Sequence, residues 1–166
     1  EGVTGDDEKA ADQLAASVDA RKSMLELAET ILTEEQAAKQ ASSLMASCWE
    51  NVLGADALLR EAAELVTDTS EENTRASQKK CEQARELLTQ ASSLFAQAQS
   101  LYPADYGPFD EYIATRQQSI NYAIASDEAI YLQDKATADS NNDKYNECDA
   151  AAAELAAQLP RDATAP

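Results

Sequence analysis

The sequence predicts an all-α fold, an elongated antiparallel up-and-down bundle of four to five long helices, in a single helical-bundle domain over residues 1–166. Two observations predict it. The 166 residues include 34 Ala and only four Gly and four Pro, a composition dominated by strong helix formers and poor in helix breakers. The larger apolar side chains recur at heptad spacing, which places them along one face of a helix.

The charge of the chain excludes several classes of function. Thirteen basic residues oppose 31 acidic ones, the formal net charge is −18, and there is no histidine. A strongly acidic surface repels phosphates, so we predict no nucleic-acid partner. The lack of histidine removes the usual general base and the commonest metal ligand, and no glycine-rich phosphate loop is present. We therefore predict a protein that is not an enzyme and has no cofactor and no metal.

The first helical stretch begins at an acidic turn near Asp6 and continues to Val66. One heptad position over this stretch is apolar at nearly every step, in the order Ala10, Ser17, Met24, Ile31, Ala38, Met45, Val52, Leu59 and Val66. Glu34 interrupts the companion position, and Thr33 with Gln36 has the pattern of a capping box. We therefore predict two helices, over 6–36 and 42–67. The alternative is one helix of about 60 residues, ~90 Å long.

The other helix boundaries follow from caps and prolines. Thr67–Ser70 ends one helix and caps the next, and the segment Pro103–Pro108 is a stiff turn because both prolines block a helix. Asp134 can cap the last helix, which Pro160 ends. The remaining helices are expected over 71–102, 109–133 and 135–159.

All three cysteines fall on predicted core-facing stripes. As buried thiols they would act as small apolar side chains, whereas in an exported protein two of them could form a disulfide. With the turns placed as above, Cys48 and Cys148 lie level on neighbouring helices; moving the last turn to Asn142 instead puts Cys81 level with Cys148. A bond between Cys48 and Cys148, a bond between Cys81 and Cys148, and no bond at all stay open. A zinc site is not expected, because three dispersed cysteines lack paired spacing.

Six residues are candidate contacts for a partner or ligand. Tyrosine and tryptophan are frequent at interface hot spots, but the same rings could instead pack in the core or hold the Pro103–Pro108 turn against a neighbouring helix. Arg116 and Asp127 approach an apolar stripe, where a partly buried ion pair would be structural or would form the wall of a polar pocket. The candidates are Trp49, Tyr102, Tyr106, Phe109, Tyr112 and Arg116.

The stretch from about Leu94 to Pro160 resembles the helical-bundle ectodomains of cell-surface lipoproteins from Gram-positive bacteria, particularly actinobacteria. The residues that carry this resemblance are Leu101–Pro103, Phe109–Ile113, Ala125–Ala129, Asn141–Asn146, Ala153–Ala156 and Leu159–Pro160. The Glu/Ala-rich helical pattern is also similar to that of trypanosome coat proteins. Both resemblances imply an extracytoplasmic protein, at the cell surface or secreted, without a catalytic motif.

We therefore expect a non-catalytic extracytoplasmic module that acts as a spacer or protein-interaction domain, whose partner would be a protein or a host or envelope surface. No run approaches the ~20 apolar residues of a membrane span, so any membrane attachment is expected through an anchor outside this segment. The alternative is a small-ligand-binding bundle with a pocket between helices. A cytoplasmic scaffold, with all three thiols reduced, is a third possibility.

Overall fold

The computed structural model describes residues 5–67 and 70–159. These residues form four helices and no strand: α1 (Gly5–Leu65), α2 (Glu71–Leu101), α3 (Phe109–Tyr131) and α4 (Lys135–Ala156). The all-α class and the helical bundle predicted from the sequence are therefore confirmed. Within the described ranges, no helix has a stretch long and apolar enough to cross a membrane.

The first helix is continuous where the sequence predicts a break. Helix α1 runs without interruption from Gly5 to Leu65, so the helices expected over 6–36 and 42–67 are one helix. The Thr33 hydroxyl donates to the Glu29 carbonyl at 2.9 Å, the bond that a threonine makes inside a helix rather than at its start. Residues 37–40 are Ala, Ala, Lys and Gln, all good helix formers, and nothing there ends the helix.

The chain divides into two compact units, Glu1–Gln40 and Ala41–Pro166, where the sequence predicts a single domain. In the first unit, unit 1, the described residues all belong to α1, and each residue from 5 to 36 is exposed to solvent. Unit 2 holds the rest of α1 and all of α2, α3 and α4. The buried core of the described chain lies entirely in unit 2.

Small side chains dominate the core of unit 2. Its alanines allow the helix axes to approach toward the short end of the usual ~8–10 Å separation. Gly54 of α1 packs directly against Leu87 of α2, since a Cβ added at Gly54 would lie 3.1 Å from Leu87 Cδ1. The fully or almost fully buried members include Cys48, Val52, Ala55, Cys81, Ala84, Leu88, Ala91, Phe95, Ala98, Phe109 and Ile120.

Short polar caps fix the starts of two helices. The Ser70 side chain accepts from the Asn73 amide at 3.3 Å, and Asp134 accepts from the Thr137 amide at 3.1 Å. Each bond satisfies one of the amide groups that the first turn of a helix leaves unpaired. Both caps agree with the sequence prediction, and the last two helices end within three residues of the predicted ends. The predicted stop at Pro160 lies outside the described residues.

Candidate functional site

Five aromatic rings from α1, α2, α3 and the turn before α3 form one aromatic cluster: Trp49, Phe95, Tyr106, Phe109 and Tyr112. The ring centroids of Trp49 and Phe109 are 5.0 Å apart in an edge-to-face arrangement, and those of Phe95 and Phe109 are 4.8 Å apart. Phe109 is completely buried and Tyr112 almost so. These separations are typical of stabilising aromatic pairs. The cluster therefore holds the turn and the start of α3 against α1 and α2.

This cluster corrects part of the predicted contact surface. Phe109 and Tyr112 belong to the core of unit 2 and leave almost no ring surface for a partner. Trp49 and Tyr106 are half-buried in the same cluster, and the Tyr106 hydroxyl donates to the Tyr102 carbonyl at 3.4 Å. Of the five predicted aromatic contacts, only Tyr102 is exposed to solvent. The sequence predicted that rings beside the Pro103–Pro108 turn could pack against a neighbouring helix, but it did not show that Trp49 contacts Phe109.

Arg116 joins three helices through two ion pairs. Its guanidinium in α3 donates to the carboxylates of Asp56 in α1 and Asp149 in α4, and the residue itself is buried. Burial alone would lower the pKa of this guanidinium, but the two carboxylates outweigh that effect and the pKa is raised. Arg116 also lines a cavity of about 380 Å³ beside Tyr145. The sequence placed Arg116 near the core but did not identify either partner, and Arg116 does not pair with Asp127.

Asp127 occupies a separate buried position on α3. The residue is 5 % exposed, and its Oδ2 accepts from the Ser77 hydroxyl of α2 at 2.7 Å. Burial raises the pKa of this carboxyl, although the bond from Ser77 partly opposes the effect. Both residues line a cavity of about 510 Å³ bounded by all four helices. The sequence signal for this position was an acidic residue on an otherwise apolar helical stripe.

The three cysteines are free thiols in the structure, so it contains neither the Cys48–Cys148 nor the Cys81–Cys148 disulfide considered from the sequence. The Cys48 thiol donates to the Ala91 carbonyl at 3.1 Å. Burial raises the pKa of both Cys48 and Cys81 to about 12, while Cys148 is only half-buried. In the described part of the chain, no group of His, Cys, Asp or Glu could hold a metal ion.

An apolar face on unit 1 is the feature that sequence reasoning missed. Seven large apolar residues of α1 keep between 42 % and 71 % of their surface exposed. At 100° per residue they cover about half of the helix circumference, wider than the stripe of an ordinary surface helix. The heptad pattern of the sequence contains these residues, but the pattern alone does not show whether another helix covers them. We call these residues the unit 1 face: Leu14, Val18, Met24, Leu25, Leu27, Ile31 and Leu32.

Comparisons of the chain with protein-family models, with curated proteins and with solved structures find no significant match. The similarity to lipoprotein ectodomains and to coat proteins therefore stays an expectation from the sequence. The function has to be inferred from the two features that the residues themselves build, the unit 1 face and the cavity at Asp127.

Proposed function

We propose that this protein is a non-catalytic, extracytoplasmic interaction module, built on an antiparallel up-and-down helical bundle, and that the unit 1 face binds an amphipathic helix of a partner protein. The observation that carries this proposal is the exposure of seven large aliphatic side chains along one helix. Contiguous apolar surface of this kind is characteristic of protein-binding sites.

The energetics favour a partner on this face. Fully burying a Leu, Ile or Met side chain contributes about 1.5–3 kcal/mol, so covering seven half-exposed ones yields several kcal/mol. That gain can exceed the cost of association. In addition, an isolated helix draws little stability from its own sequence, because most helical stability in proteins comes from packing of an apolar face. A bound helix would supply that packing.

The spacing of the unit 1 face indicates a helical partner. Met24, Leu27 and Ile31 stand at positions i, i+3 and i+7, which is the pattern by which one helix packs along another. Leu25 and Leu32 repeat at the seven-residue interval beside them. A partner helix with its own apolar stripe could therefore lie along this face in register with these side chains.

The charge of unit 1 indicates that the partner is basic. Residues 5–40 carry nine acidic side chains and four basic ones. A second copy of this chain would bring the same excess of negative charge, and like charges across an interface oppose association. A helix with Lys or Arg beside its apolar stripe would find complementary charge. We therefore assign the face to a basic amphipathic helix.

The absence of histidine from the sequence supports the non-catalytic part of the proposal. The extracytoplasmic location is supported by the resemblance to surface lipoproteins and coat proteins. It is also supported by the high negative charge, which keeps a surface protein soluble and discourages nonspecific association with acidic envelopes.

The test uses two synthetic helical peptides that share a Leu face and differ only in polar residues, Lys in one and Glu in the other. In calorimetric titrations we expect the Lys peptide to bind, with affinity that falls as salt rises, and the Glu peptide to bind at least about tenfold more weakly. Leu27→Glu should abolish binding. The matched control is Leu53→Glu, because Leu53 lies on the same helix outside the unit 1 face with similar exposure, 56 % against 61 % for Leu27.

Two results would contradict this assignment. Equal binding of both peptides would show that the partner need not be basic. Equal effects of Leu27→Glu and Leu53→Glu would show that the unit 1 face is not the binding site. Sedimentation of the wild-type chain should show a monomer. A dimer that Leu27→Glu dissociates would make the occupant a second copy of the chain.

A second candidate function, a small-ligand-binding bundle, is supported by the cavity at Asp127. Its volume of about 510 Å³ falls within the range of small-molecule sites. This cavity lies in unit 2 and uses none of the residues of the unit 1 face, so the two functions can be tested separately.

A further inference from the structure

The cavity at Asp127 has an apolar wall and one deeply buried acidic group. The cavity exists because alanines from three helices line it with short side chains, among them Ala62, Ala123 and Ala138. Leu59 and Ile130 add larger apolar surface to its wall. A pocket of this kind takes the body of a small molecule by apolar burial and orients it through a few polar groups.

The carboxyl group of Asp127 has only partial compensation for its burial. Among the described residues it accepts a hydrogen bond from Ser77, and no ion pair joins it to a lysine or arginine there. Lys135 also lines the cavity, but it is exposed to solvent. A carboxylate taken out of water without a cation is costly, so a cation supplied from solution would recover much of the lost interaction.

We propose that the cavity of unit 2 is a binding site for a small organic amine, with the ammonium group bound by the Asp127 carboxylate and an apolar body packed against the alanine-lined wall. This deepens the second candidate function and is independent of the unit 1 face. The raised pKa of Asp127 agrees with a site in which a cation is needed to favour the ionised form.

The remaining polar groups of the cavity fit this class of ligand. Asp139 adds a second acidic side chain, and Asn142 supplies a carbonyl that can accept from an ammonium. The thiol of Cys81 stays neutral because burial raises its pKa to about 12, so it adds no competing charge. An anionic ligand would instead meet Asp127 and Asp139 across an apolar pocket, which disfavours it.

The test is a calorimetric titration of the full chain near neutral pH with three probes that share a phenyl body. These are 2-phenylethylamine, the neutral 2-phenylethanol and the anionic 3-phenylpropionate. We expect saturable binding of the amine, binding of the alcohol at least about tenfold weaker, and no binding of the carboxylate.

Three variants locate the site. Asp127→Asn keeps the size of the side chain and its acceptor for Ser77, and it should remove the preference for amine over alcohol. Ala123→Leu should weaken all binding because the added side chain reduces the cavity, and Ala123 is half-buried, so the fold can accommodate it. The control is Asp110→Asn, an exposed acid on the same helix that does not line the cavity. Circular dichroism establishes that each variant is folded.

Three outcomes would overturn the proposal: equal affinity for the amine and the alcohol, an unchanged preference in folded Asp127→Asn, or no saturable binding of the amine at millimolar concentration. None of them bears on peptide binding by the unit 1 face. Loss of peptide binding in Leu27→Glu with amine binding retained would show that the two sites act independently.

Discussion

At the scale of single residues, Arg116 of α3 links α1 and α4 through its two ion pairs. Its two partners lie on different helices, Asp56 on α1 and Asp149 on α4. A planar guanidinium can donate to both at once, which a lysine could not do with the same geometry. The position of the charge therefore specifies which faces of α1, α3 and α4 meet.

Replacing Arg116 should destabilise the protein strongly. Arg116→Met leaves two carboxylates facing each other without a cation, and we expect a loss of about 2 kcal/mol in the free energy of unfolding, below the value for a fully buried pair because Asp149 is half exposed. Urea denaturation measures it. Lys80→Met, which removes the surface ion pair with Glu61, serves as the control and should cost less than about 1 kcal/mol. Equal losses would show that burial of Arg116 is not important.

The pH dependence of stability should report Asp127. Because its pKa in the folded protein is raised above the ordinary value of 3.8, the folded state binds more protons than the unfolded state between those two pKa values. Stability from this group is therefore present at low pH and lost as pH rises through the folded pKa. Asp127→Asn lacks this loss, so it should gain stability relative to wild type as pH rises from 3.8 through the folded pKa of Asp127. If the difference in free energy of unfolding between Asp127→Asn and wild type does not change with pH, or changes in the opposite direction, the raised pKa of Asp127 is contradicted.

The thiols should differ sharply in reactivity. Cys48 and Cys81 have pKa values of about 12 and are buried, whereas Cys148 is half-buried. Because the thiolate is the reactive form, a thiol reagent added to the native protein should label one cysteine per chain, and two more after unfolding. Cys148→Ser should remove the first reaction. If reductant is required before Cys48 and Cys148 react, they form a disulfide, as the extracytoplasmic proposal allows.

At the scale of elements, α1 differs along its length. Between Ala41 and Ala62 its heptad positions are buried in unit 2, whereas residues 5–36 are exposed. The same heptad pattern is therefore buried in one part of α1 and exposed to solvent in the other. A helix segment without tertiary packing depends on its intrinsic propensity alone, whereas most helical stability in proteins comes from the packing of an apolar face.

Hydrogen exchange should separate the two parts of α1. We expect amides in residues 9–36 to exchange at least about tenfold faster than those in residues 45–62, because local opening is easiest where little apolar surface is buried. Adding the Lys peptide should slow exchange in residues 9–36 and leave residues 45–62 unchanged. Uniform protection along α1 in the free protein would contradict this expectation.

The sequence predicted the elements better than their surroundings. Caps at Ser70 and Asp134 and the prolines before α3 fixed three helix boundaries, because each acts through local backbone geometry. The expected break after Thr33 failed since a capping-box pattern inside a strong helix-forming stretch does not by itself end a helix. Partners such as Ser77 for Asp127 were beyond prediction, because their contact depends on how the helices are rotated against each other, and alanine-rich stripes specify that rotation weakly.

At the scale of the whole molecule, the net charge destabilises the folded state while the apolar core stabilises it. A net charge of −18 creates self-repulsion that weakens any compact state. Among the described residues, the core of unit 2 contains seven alanines and two cysteines, each of which buries less apolar area than a leucine would. Salt should therefore affect the stability of this protein more than that of a neutral bundle of similar size.

Raising the ionic strength from about 0.01 M to about 0.1 M shortens the screening length from ~30 Å to ~10 Å. We expect the free energy of unfolding to rise by about 1 kcal/mol over this range, because repulsion among distant carboxylates is screened while the partly buried ion pairs of Arg116 are affected less. Thermal denaturation at several concentrations of sodium chloride measures it. A fall in stability would show that favourable ion pairs outweigh the repulsion.

The alanines in the core of unit 2 also restrict how this protein can change in evolution. At Ala55, Ala84, Ala91 and Ala98, where no surface is exposed, a larger residue would overpack the core and force the neighbouring atoms to shift. Only replacements of nearly equal size, such as glycine, serine or cysteine, would leave the helix spacing unchanged. Divergent descendants of this sequence would therefore keep tiny residues at these four positions while their solvent-facing residues vary freely.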